Sequence, residues 1–426
     1  MALPRRRLSL ITNSFLFALV GMITVSTNLY LASRLPDGGN SSGTSGFTVP
    51  AFPIMSPSQL IIPEREPKPL SPVNSNDPED DQSSDVLHIV TTRFMQHQPH
   101  LIHLGEARLE LFETFCYPSM TLQTTKDFIW AVLVDPDLDD SLLARLEHLL
   151  EPYPNFYLVL SNEKNLDLGA DPQSLREEMR TGNIDILTNQ INNVNRTMVL
   201  HTRLDADDGL HKNTLSKIQI AAREFPADGS GWQVVCANLH FEWRNNEIMS
   251  AQNVTTGGKL RLVQEQICVT PGFTFVQHRN VTSMHIPKLP RVLHHLLTRD
   301  YPECFDSHNT TINCWQKIPQ RYPAALRSRT ITSAGMSRVQ MSNKEDEAKS
   351  KLFENHTAIF WKAVEENFGT TTKDALQVST YLQLHIEDII QDNLVGQCSP
   401  GHSCKNSSKA TLLSILNDTR SYRSNS

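Results

Sequence analysis

The residues best suited to chemistry lie in an acidic run at residues 201–209 (HTRLDADDG). Residues 197–204 have the length and apolar character of a strand, and Asp205, Asp207 and Asp208 follow at its end. Carboxylates this close together repel one another unless a divalent cation lies between them. Mn²⁺ and Mg²⁺ prefer such oxygen ligands and also neutralise phosphate leaving groups. We therefore predict a metal site at these three aspartates.

The same Asp-x-Asp spacing occurs in a second acidic run at residues 134–140 (VDPDLDD). A helical pattern at residues 142–150 follows this run at once, so its aspartates have the type and position of helix caps. Capping is also the alternative for the first run, where a helix is predicted to start near His211. Arg203 favours the metal interpretation there, because it lies two residues before Asp205 and thus on the same face of the strand.

From residue 86 onward, short apolar runs alternate with helical patterns, which is typical of an α/β domain with a mostly parallel sheet. The strand candidates are residues 86–91, 128–134, 155–160 and 197–204, and the helix candidates are residues 104–115, 142–150 and 212–225. Further β-rich sequence lies at residues 233–243 and 259–277, and two amphipathic segments at 344–368 and 374–394 predict a helical C-terminal cap. Ligands of open α/β sheets bind at the carboxyl ends of the strands, where the first acidic run would lie.

The N-terminal segment predicts the compartment. Arg5 to Arg7 precede an apolar stretch at residues 8–31, long enough as a helix to cross a bilayer core of about 30 Å. We predict a signal anchor at residues 1–32 of a single-pass type II protein of the Golgi or secretory-pathway membrane, with a lumenal catalytic domain. A cleaved signal peptide, giving a secreted protein, is the alternative. Residues 33–85, rich in proline, serine and glycine, predict a disordered stem.

Other features fit a lumenal chain. Acceptors for N-linked glycans stand at Asn40, Asn195, Asn253, Asn280, Asn309, Asn355, Asn406 and Asn417. The 7 cysteines suit disulfides in an oxidising compartment and leave one thiol over. The pairs nearest in sequence are Cys304 with Cys314 and Cys398 with Cys404, although Cys398, His402 and Cys404 could instead bind zinc. The net charge of −7 argues against a general nucleic-acid-binding protein, so no nucleic-acid partner is expected.

Five stretches between residues 86 and 340 carry a resemblance to a known family. They are VTTRF at 90–94, RLELF at 108–112, PSMTLQ at 118–123, FIWAVLV at 128–134 and RLDADD at 203–208. In this order they resemble the rhamnosyltransferase family, glycosyltransferases expected to adopt the nucleotide-sugar-binding α/β fold called GT-A. We accordingly place a GT-A-like catalytic domain at residues 86–341 and a helical C-terminal extension with a disordered tail at 342–426.

The resemblance implies a glycosyltransferase of the hexosyltransferase type. Its donor would be a nucleotide sugar, with rhamnose as the sugar that the family name suggests, and its acceptor a hydroxyl group of a glycan or glycoconjugate. Asp205 and Asp207 would bind a divalent cation, Mn²⁺ or Mg²⁺, and the nucleotide, with assistance from Asp208. Arg203 would pair with an acid or with phosphate.

Other positions would contact the donor. Thr91 and Arg93, at the end of the first strand, would bind the nucleotide, although Arg93 could instead form a structural ion pair. Asp135 would contact the base or the ribose. Arg327 and Arg329 could hold the diphosphate, since guanidinium groups bind phosphate in a fixed fork. The alternative for these two arginines is a solvated surface loop.

The catalytic base is left open, because an inverting transfer needs a carboxylate that accepts the acceptor proton and a retaining transfer does not. The candidate acids are Glu242, Glu265 and Asp300. A downstream histidine could complete the metal site, and the candidates are His278, His294 and His295.

Two rival functions use the same acids. One is a metal phosphohydrolase, but no nucleophile motif or histidine-metal framework surrounds the aspartates. The other is a non-catalytic secreted glycoprotein whose acidic cluster binds Ca²⁺ structurally, but the glycine and glutamate of an EF-hand loop are missing at the required spacing.

Overall fold

The computed structural model describes residues 85–163, 166, 172–225, 233–245, 258–264, 271–278, 315–318, 322–333, 357–397, 410, 412–417 and 420. The predicted anchor at residues 1–32 and the predicted stem up to residue 84 lie outside these ranges. Within these ranges, none of the helices has the length and apolar character needed to cross a membrane.

A seven-stranded sheet forms the centre of the described structure. With strands numbered in chain order, it contains β1 (Val86–Phe94), β2 (Ile129–Val134), β3 (Phe156–Leu160), β4 (Met198–Asp205), β6 (Gln233–Cys236), β9 (Phe273–His278) and β10 (Trp315–Lys317). They lie in the order β10-β6-β9-β4-β1-β2-β3. β9 is antiparallel to both of its neighbours, whereas the other neighbouring pairs are parallel. The predicted α/β fold with a mostly parallel sheet is confirmed.

Helices cover both faces of this sheet. They are α1 (Ile102–Leu111), α2 (Tyr117–Thr121), α3 (Asp140–Leu150), α4 (Pro172–Glu178), α5 (Ile184–Asn192) and α6 (Thr214–Arg223), with a π-helical turn, Phe112–Cys116, joining α1 to α2. Successive side chains of a strand point to opposite faces of the sheet. Val90 and Trp130 enter the core shared with α1, α3 and α6, whereas Ile89 and Ile129 enter the core shared with α4 and α5. Double coverage explains why all of β2 is buried and apolar.

A second, four-stranded sheet lies beside the end of β4. It contains β5 (Gly209–Leu210), β7 (Leu239–Arg244), β8 (Lys259–Gln264) and β11 (Ala325–Arg329), in the order β5-β11-β7-β8. β11 is antiparallel to β5 and parallel to β7, and β7 is antiparallel to β8. Because β5 begins at Gly209, the acidic run that follows β4 leads directly into this second sheet.

The described C-terminal part is helical, as predicted, with α7 (Thr357–Phe368), α8 (Thr372–Leu384) and α9 (Ile386–Gln397). The prediction of one helix over residues 374–394 is wrong, because His385 leaves the helical conformation (φ −105°, ψ 17°) and separates α8 from α9. The apolar spacing continues across the break, so the pattern does not reveal it. On α9, Asp392 Oδ2 accepts a hydrogen bond from the backbone N–H of Leu104 (3.1 Å) and thereby serves the start of α1, where Leu101 offers no side-chain cap.

The described cysteines differ in state. Cys116 is a buried free thiol, and burial raises its pKa well above the ordinary value. Cys236 is in a disulfide, and its partner lies outside the described residues. The predicted pairs of Cys304 with Cys314 and Cys398 with Cys404 also lie outside them.

Candidate functional site

The carboxyl ends of β1 and β4 bring four predicted site residues together. These strands are parallel neighbours, and their register pairs Thr91 with Arg203 and Arg93 with Asp205. Thr91 is buried, whereas the side chains of Arg93 and Asp205 are exposed. Both strands therefore end at one edge of the sheet with polar side chains that face solvent.

We call residues 205–208 the acid turn. The backbone N–H of Asp208 donates to the carbonyl of Asp205 (3.1 Å), which closes the turn. Ser328 on β11 ties it to the second sheet, because its Oγ donates to Asp207 Oδ2 (2.9 Å) and its N–H donates to Asp208 Oδ1 (2.8 Å). Ser328 was not predicted from the sequence, where a serine between two arginines carries no distinguishing signal.

The carboxylates of the acid turn destabilise one another in their charged form. Burial, followed by the charges of Asp207 and Asp205, raises the pKa of Asp208 well above its ordinary value. Asp205 reaches solvent, but enough protein surrounds its carboxyl group that lost hydration and the charge of Asp207 raise its pKa too. Arg93, Arg327 and Arg329 oppose this shift at Asp205 without cancelling it. The turn therefore favours a neutralising partner.

Whether the acid turn suits a metal depends on how many protein ligands the metal needs. Within the ranges that the structure describes, no group of three or more His, Cys, Asp or Glu side chains is placed to hold a metal ion. Mg²⁺ commonly needs only one or two carboxylates, because substrate phosphates and waters complete its shell. Asp207 keeps Oδ1 without a described hydrogen bond, and Asp205 has no side-chain hydrogen bond among the described residues. The donor set fits a cation that shares its shell with a phosphate.

Arginines surround the acid turn. Arg327 and Arg329 lie on β11 on either side of Ser328. The Arg203 guanidinium lies 5.5 Å from the centroid of the Phe275 ring, and burial, followed by the charge of Arg93, lowers its pKa. No described acid forms an ion pair within 4.0 Å of Arg93, Arg203 or Arg327. These guanidinium groups remain able to bind an anion.

Arg108 is a further arginine of the site that was not assigned a role from the sequence, although it lies in one of the matching stretches. Its guanidinium donates to Gln98 Oε1 (3.0 Å) and to the carbonyl of Thr332 (3.2 Å). Burial lowers its pKa, and the negative charge of Asp207 acts in the opposite direction. Arg108 therefore adds positive charge behind the acid turn while joining α1 to the segment after β11.

Glu242, on β7, is surrounded by arginines. It is 4% exposed and contacts Arg244, Arg261 (2.7 Å) and Arg329 (3.7 Å). Burial alone would raise its pKa, but the three guanidinium charges lower it to about 2. A carboxylate with so little proton affinity is poorly suited to the role of catalytic base that the sequence suggested. Its contacts organise the arginines instead.

The second acidic run, after β2, has a different environment. Asp135 is buried, and its two oxygens accept backbone N–H groups of His97 (2.8 Å) and Asp137 (3.0 Å). Asp139 caps α3 by accepting from the N–H of Ser141 (2.9 Å), which confirms the capping interpretation of this run. These two acids therefore accept hydrogen bonds from the backbone of their own loops. Contact of Asp135 with the base or the ribose stays a prediction.

His278 is too far from the acid turn to complete its metal site. It lies opposite Met198 at the start of β4, whereas Asp205 ends the same strand. Seven residues of extended strand separate the two positions by about 23 Å. The prediction fails because β9 is antiparallel to β4 and carries its last residue to the far edge of the sheet. The other candidates, Glu265, Asp300, His294 and His295, lie outside the described residues.

The comparison with protein-family models agrees with the resemblance. Residues 103–236, which include the acid turn, match the model of the family described as "Putative rhamnosyl transferase". Among solved structures, the apo structure of the bifunctional glycosyltransferase WbbM matches with 11% identity and a TM-score of 0.20, covering 48% of this chain and 33% of that chain. The chain thus spans about a third of that protein's length. No curated protein matches. Over residues 103–236 the predicted resemblance to this rhamnosyl transferase family is confirmed, and this match supports a glycosyltransferase.

Proposed function

We propose that the protein is a metal-dependent glycosyltransferase that moves a sugar, with rhamnose as the first candidate, from a nucleotide-sugar donor to a hydroxyl group of a glycan or glycoconjugate. The observation that supports this most is the meeting of the acid turn with arginines at the carboxyl edge of the sheet. Carboxylates and guanidinium groups side by side suit a ligand that is itself a cation–diphosphate pair.

The chain's residues have separate tasks in this proposal. Asp205 and Asp207 would hold Mn²⁺ or Mg²⁺, which supplies charge neutralisation at the leaving diphosphate. Arg327 would bind phosphate oxygens directly, since no described acid forms an ion pair with it within 4.0 Å, and Arg329 would assist from the same strand. Arg93 and Thr91, which pair with Asp205 and Arg203 in the sheet register, would contact the nucleotide.

Calorimetric titration with nucleoside diphosphates in the presence of Mn²⁺ or Mg²⁺ tests this function. We expect binding to the wild-type protein, and at least a hundredfold weaker binding to Asp207→Ala with an unchanged circular dichroism spectrum. Asp137→Ala is the matched control, because Asp137 is an exposed aspartate of the second acidic run. A wild-type protein that binds Ca²⁺ but no nucleotide with any metal would support the structural glycoprotein instead.

We also propose that the catalytic domain lies in the lumen of the Golgi or another secretory compartment, anchored by residues 1–32. The sequon Asn195-Arg-Thr supports this, because Asn195 and Thr197 are exposed in the turn before β4. That turn lies at the opposite end of β4 from Asp205, so a glycan there leaves the acid turn open.

Expression in a eukaryotic secretory host tests the compartment. Treatment with an N-glycosidase should increase the gel mobility of the protein, and Asn195→Gln should remove the contribution of one glycan. Asn192→Gln, an exposed asparagine outside any sequon, is the control. A wild-type protein that carries no glycan would contradict the lumenal placement.

A further inference from the structure

The polar face of the small sheet is lined by arginines from three adjacent strands. Arg327 and Arg329 on β11 pair in register with Glu242 and Arg244 on β7, and Glu242 pairs with Arg261 on β8. Paired residues point to the same side of a sheet, so all of them share one face. We call Arg244, Arg261, Arg327 and Arg329 the arginine face.

Positive charge exceeds negative charge on this face within the described part of the chain. Arg244, Arg261 and Arg329 all contact the single carboxylate of Glu242, and their side chains keep 18–25% of their surface exposed. The Arg244 bond to Glu242 uses Nε, and no described residue accepts from its two terminal nitrogens. Arg244 and Arg329 share this one acid and repel each other, so a second anion beside them would stabilise the face.

The surroundings of His240 agree with an excess of positive charge on this face. His240 lies on β7, two residues before Glu242, and is fully buried with neither ring nitrogen hydrogen-bonded. Burial, followed by the charge of Arg327, lowers its pKa to about 3, and Arg329 acts in the same direction. The histidine therefore stays neutral, and the positive charge of the face comes from the arginines.

The arginine face extends away from the acid turn. Arg327 and Arg329 are close enough to oppose the pKa shift of Asp205. Adjacent strands are about 4.8 Å apart, so β7 and β8 lie about 5 and 10 Å beyond β11. A diphosphate held at the acid turn would engage the inner pair, on β11. The outer pair, on β7 and β8, lies on the far side of β11 from the acid turn.

We propose that the arginine face binds an anionic acceptor, a saccharide that carries a carboxylate or a sulfate group, with Arg244 as a principal contact. This inference rests on the proposed glycosyltransferase function. Arginine forks bind such planar or tetrahedral oxyanions through two parallel hydrogen bonds, and Glu242 already demonstrates carboxylate binding on this face.

Binding of defined saccharides to the full chain, measured by calorimetry without nucleotide, tests the proposal. The probes are a uronic-acid hexasaccharide, its methyl ester and a sulfated hexasaccharide of similar length. We expect the wild-type protein to bind one of the two acidic probes at least tenfold more tightly than the ester, and which of the two binds identifies the anion. Equal binding of all three probes, or binding of none, would overturn the proposal.

Variants locate the contact. Arg244→Gln should weaken binding of the acidic probe about tenfold and leave binding of the nucleoside diphosphate within twofold of wild type, whereas Arg244→Lys should restore part of the acidic-probe affinity. Arg180→Gln, at an exposed arginine outside both sheets, should change neither affinity. Melting temperatures identify a variant that fails to fold, and Arg244→Lys then provides the test.

Two outcomes distinguish this proposal from the proposed glycosyltransferase function, on which it rests. If Arg244→Gln loses nucleotide affinity and keeps saccharide affinity, the arginine face belongs to the donor and the acceptor proposal is wrong. If the wild-type protein binds the acidic saccharide and no nucleotide, the transferase function fails while the anion site stands.

Discussion

β11 lies between two carboxylate clusters that differ in their charge balance. On the β5 side, the acid turn gathers Asp205, Asp207 and Asp208, and burial together with their mutual repulsion raises the pKa of Asp205 and Asp208. On the β7 side, Glu242 is one carboxylate among three guanidinium groups, and its pKa is lowered to about 2. Among the residues that the structure describes, the first cluster gathers three carboxylates, whereas the second gathers three guanidinium groups around one carboxylate.

In its charged form, Glu242 supports folding, whereas the acids of the acid turn oppose it. The charge of Glu242 stabilises the folded state, because the unfolded chain does not offer it three arginines. The charges of the acid turn destabilise the folded state, and a bound cation or a proton would offset what the nearby arginines do not. The same substitution, acid to amide, should therefore have opposite effects on stability in the two clusters.

The largest effect is expected at Glu242. Glu242→Gln removes the acid that three half-buried arginines share, so their mutual repulsion is no longer offset by this carboxylate. We expect the free energy of unfolding in urea to fall by about 3–5 kcal/mol. Glu151→Gln, at an exposed glutamate after α3, is the control and should have little effect. A loss at Glu242 below about 1 kcal/mol would mean that the arginines do not depend on this acid.

The pH dependence of stability provides a second test of the role of Glu242. The folded-state pKa of Glu242 is about 2, below its ordinary value of 4.5, so its contribution is fully present above pH 4.5 and is lost as the pH falls through 2. The stability gap between the wild-type protein and Glu242→Gln should therefore narrow by about 1.4 kcal/mol per pH unit below 4.5. Urea titrations from pH 6 to pH 3 measure this. If the difference in free energy of unfolding between the two proteins did not change with pH, the lowered pKa of Glu242 would be contradicted.

A smaller loss is expected at Asp135. An asparagine there keeps one acceptor oxygen and turns an amide NH₂ toward a backbone N–H, either that of His97 or that of Asp137. We expect Asp135→Asn to lower the free energy of unfolding by about 1–3 kcal/mol. An unchanged urea midpoint would show that the loop after β1 does not rely on this acid.

The smallest effect, and one of opposite sign, is expected at Asp205. Asp205→Asn removes a charge that repels Asp207, so the melting temperature should rise slightly. The gain should stay below about 1 kcal/mol, because solvent screens the exposed carboxyl group. Differential scanning calorimetry of the ligand-free protein measures it. A lower melting temperature would mean that the surrounding arginines outweigh the repulsion.

Four strands of the large sheet, β1 to β4, were predictable, because each contains a local apolar run. β2, for instance, lies within the predicted strand at residues 128–134. The placement of Asp205 at a strand end followed from the same reasoning. The break at His385 was not predictable, since the apolar spacing of α8 continues into α9.

Features that depend on distant pairing could not be read from the sequence. The register that brings Glu242 beside Arg261 and Arg329 joins strands far apart in the chain, so nothing local distinguishes Glu242 from a candidate base. The direction of β9, which carries His278 away from Asp205, is likewise set by strand pairing. Asp135 and Asp205 share a motif, and only the groups around each carboxylate separate their roles.

Ser328 has a consequence for the timing of substrate recognition. It hydrogen-bonds two acids of the turn, and it lies between Arg327 and Arg329 on the same strand. A single residue of backbone, about 3.8 Å between successive Cα atoms, thus separates the anchor of the acids from each arginine. The relative placement of the two clusters is preorganised, so its ordering entropy is lost during folding and does not have to be lost again when a substrate binds.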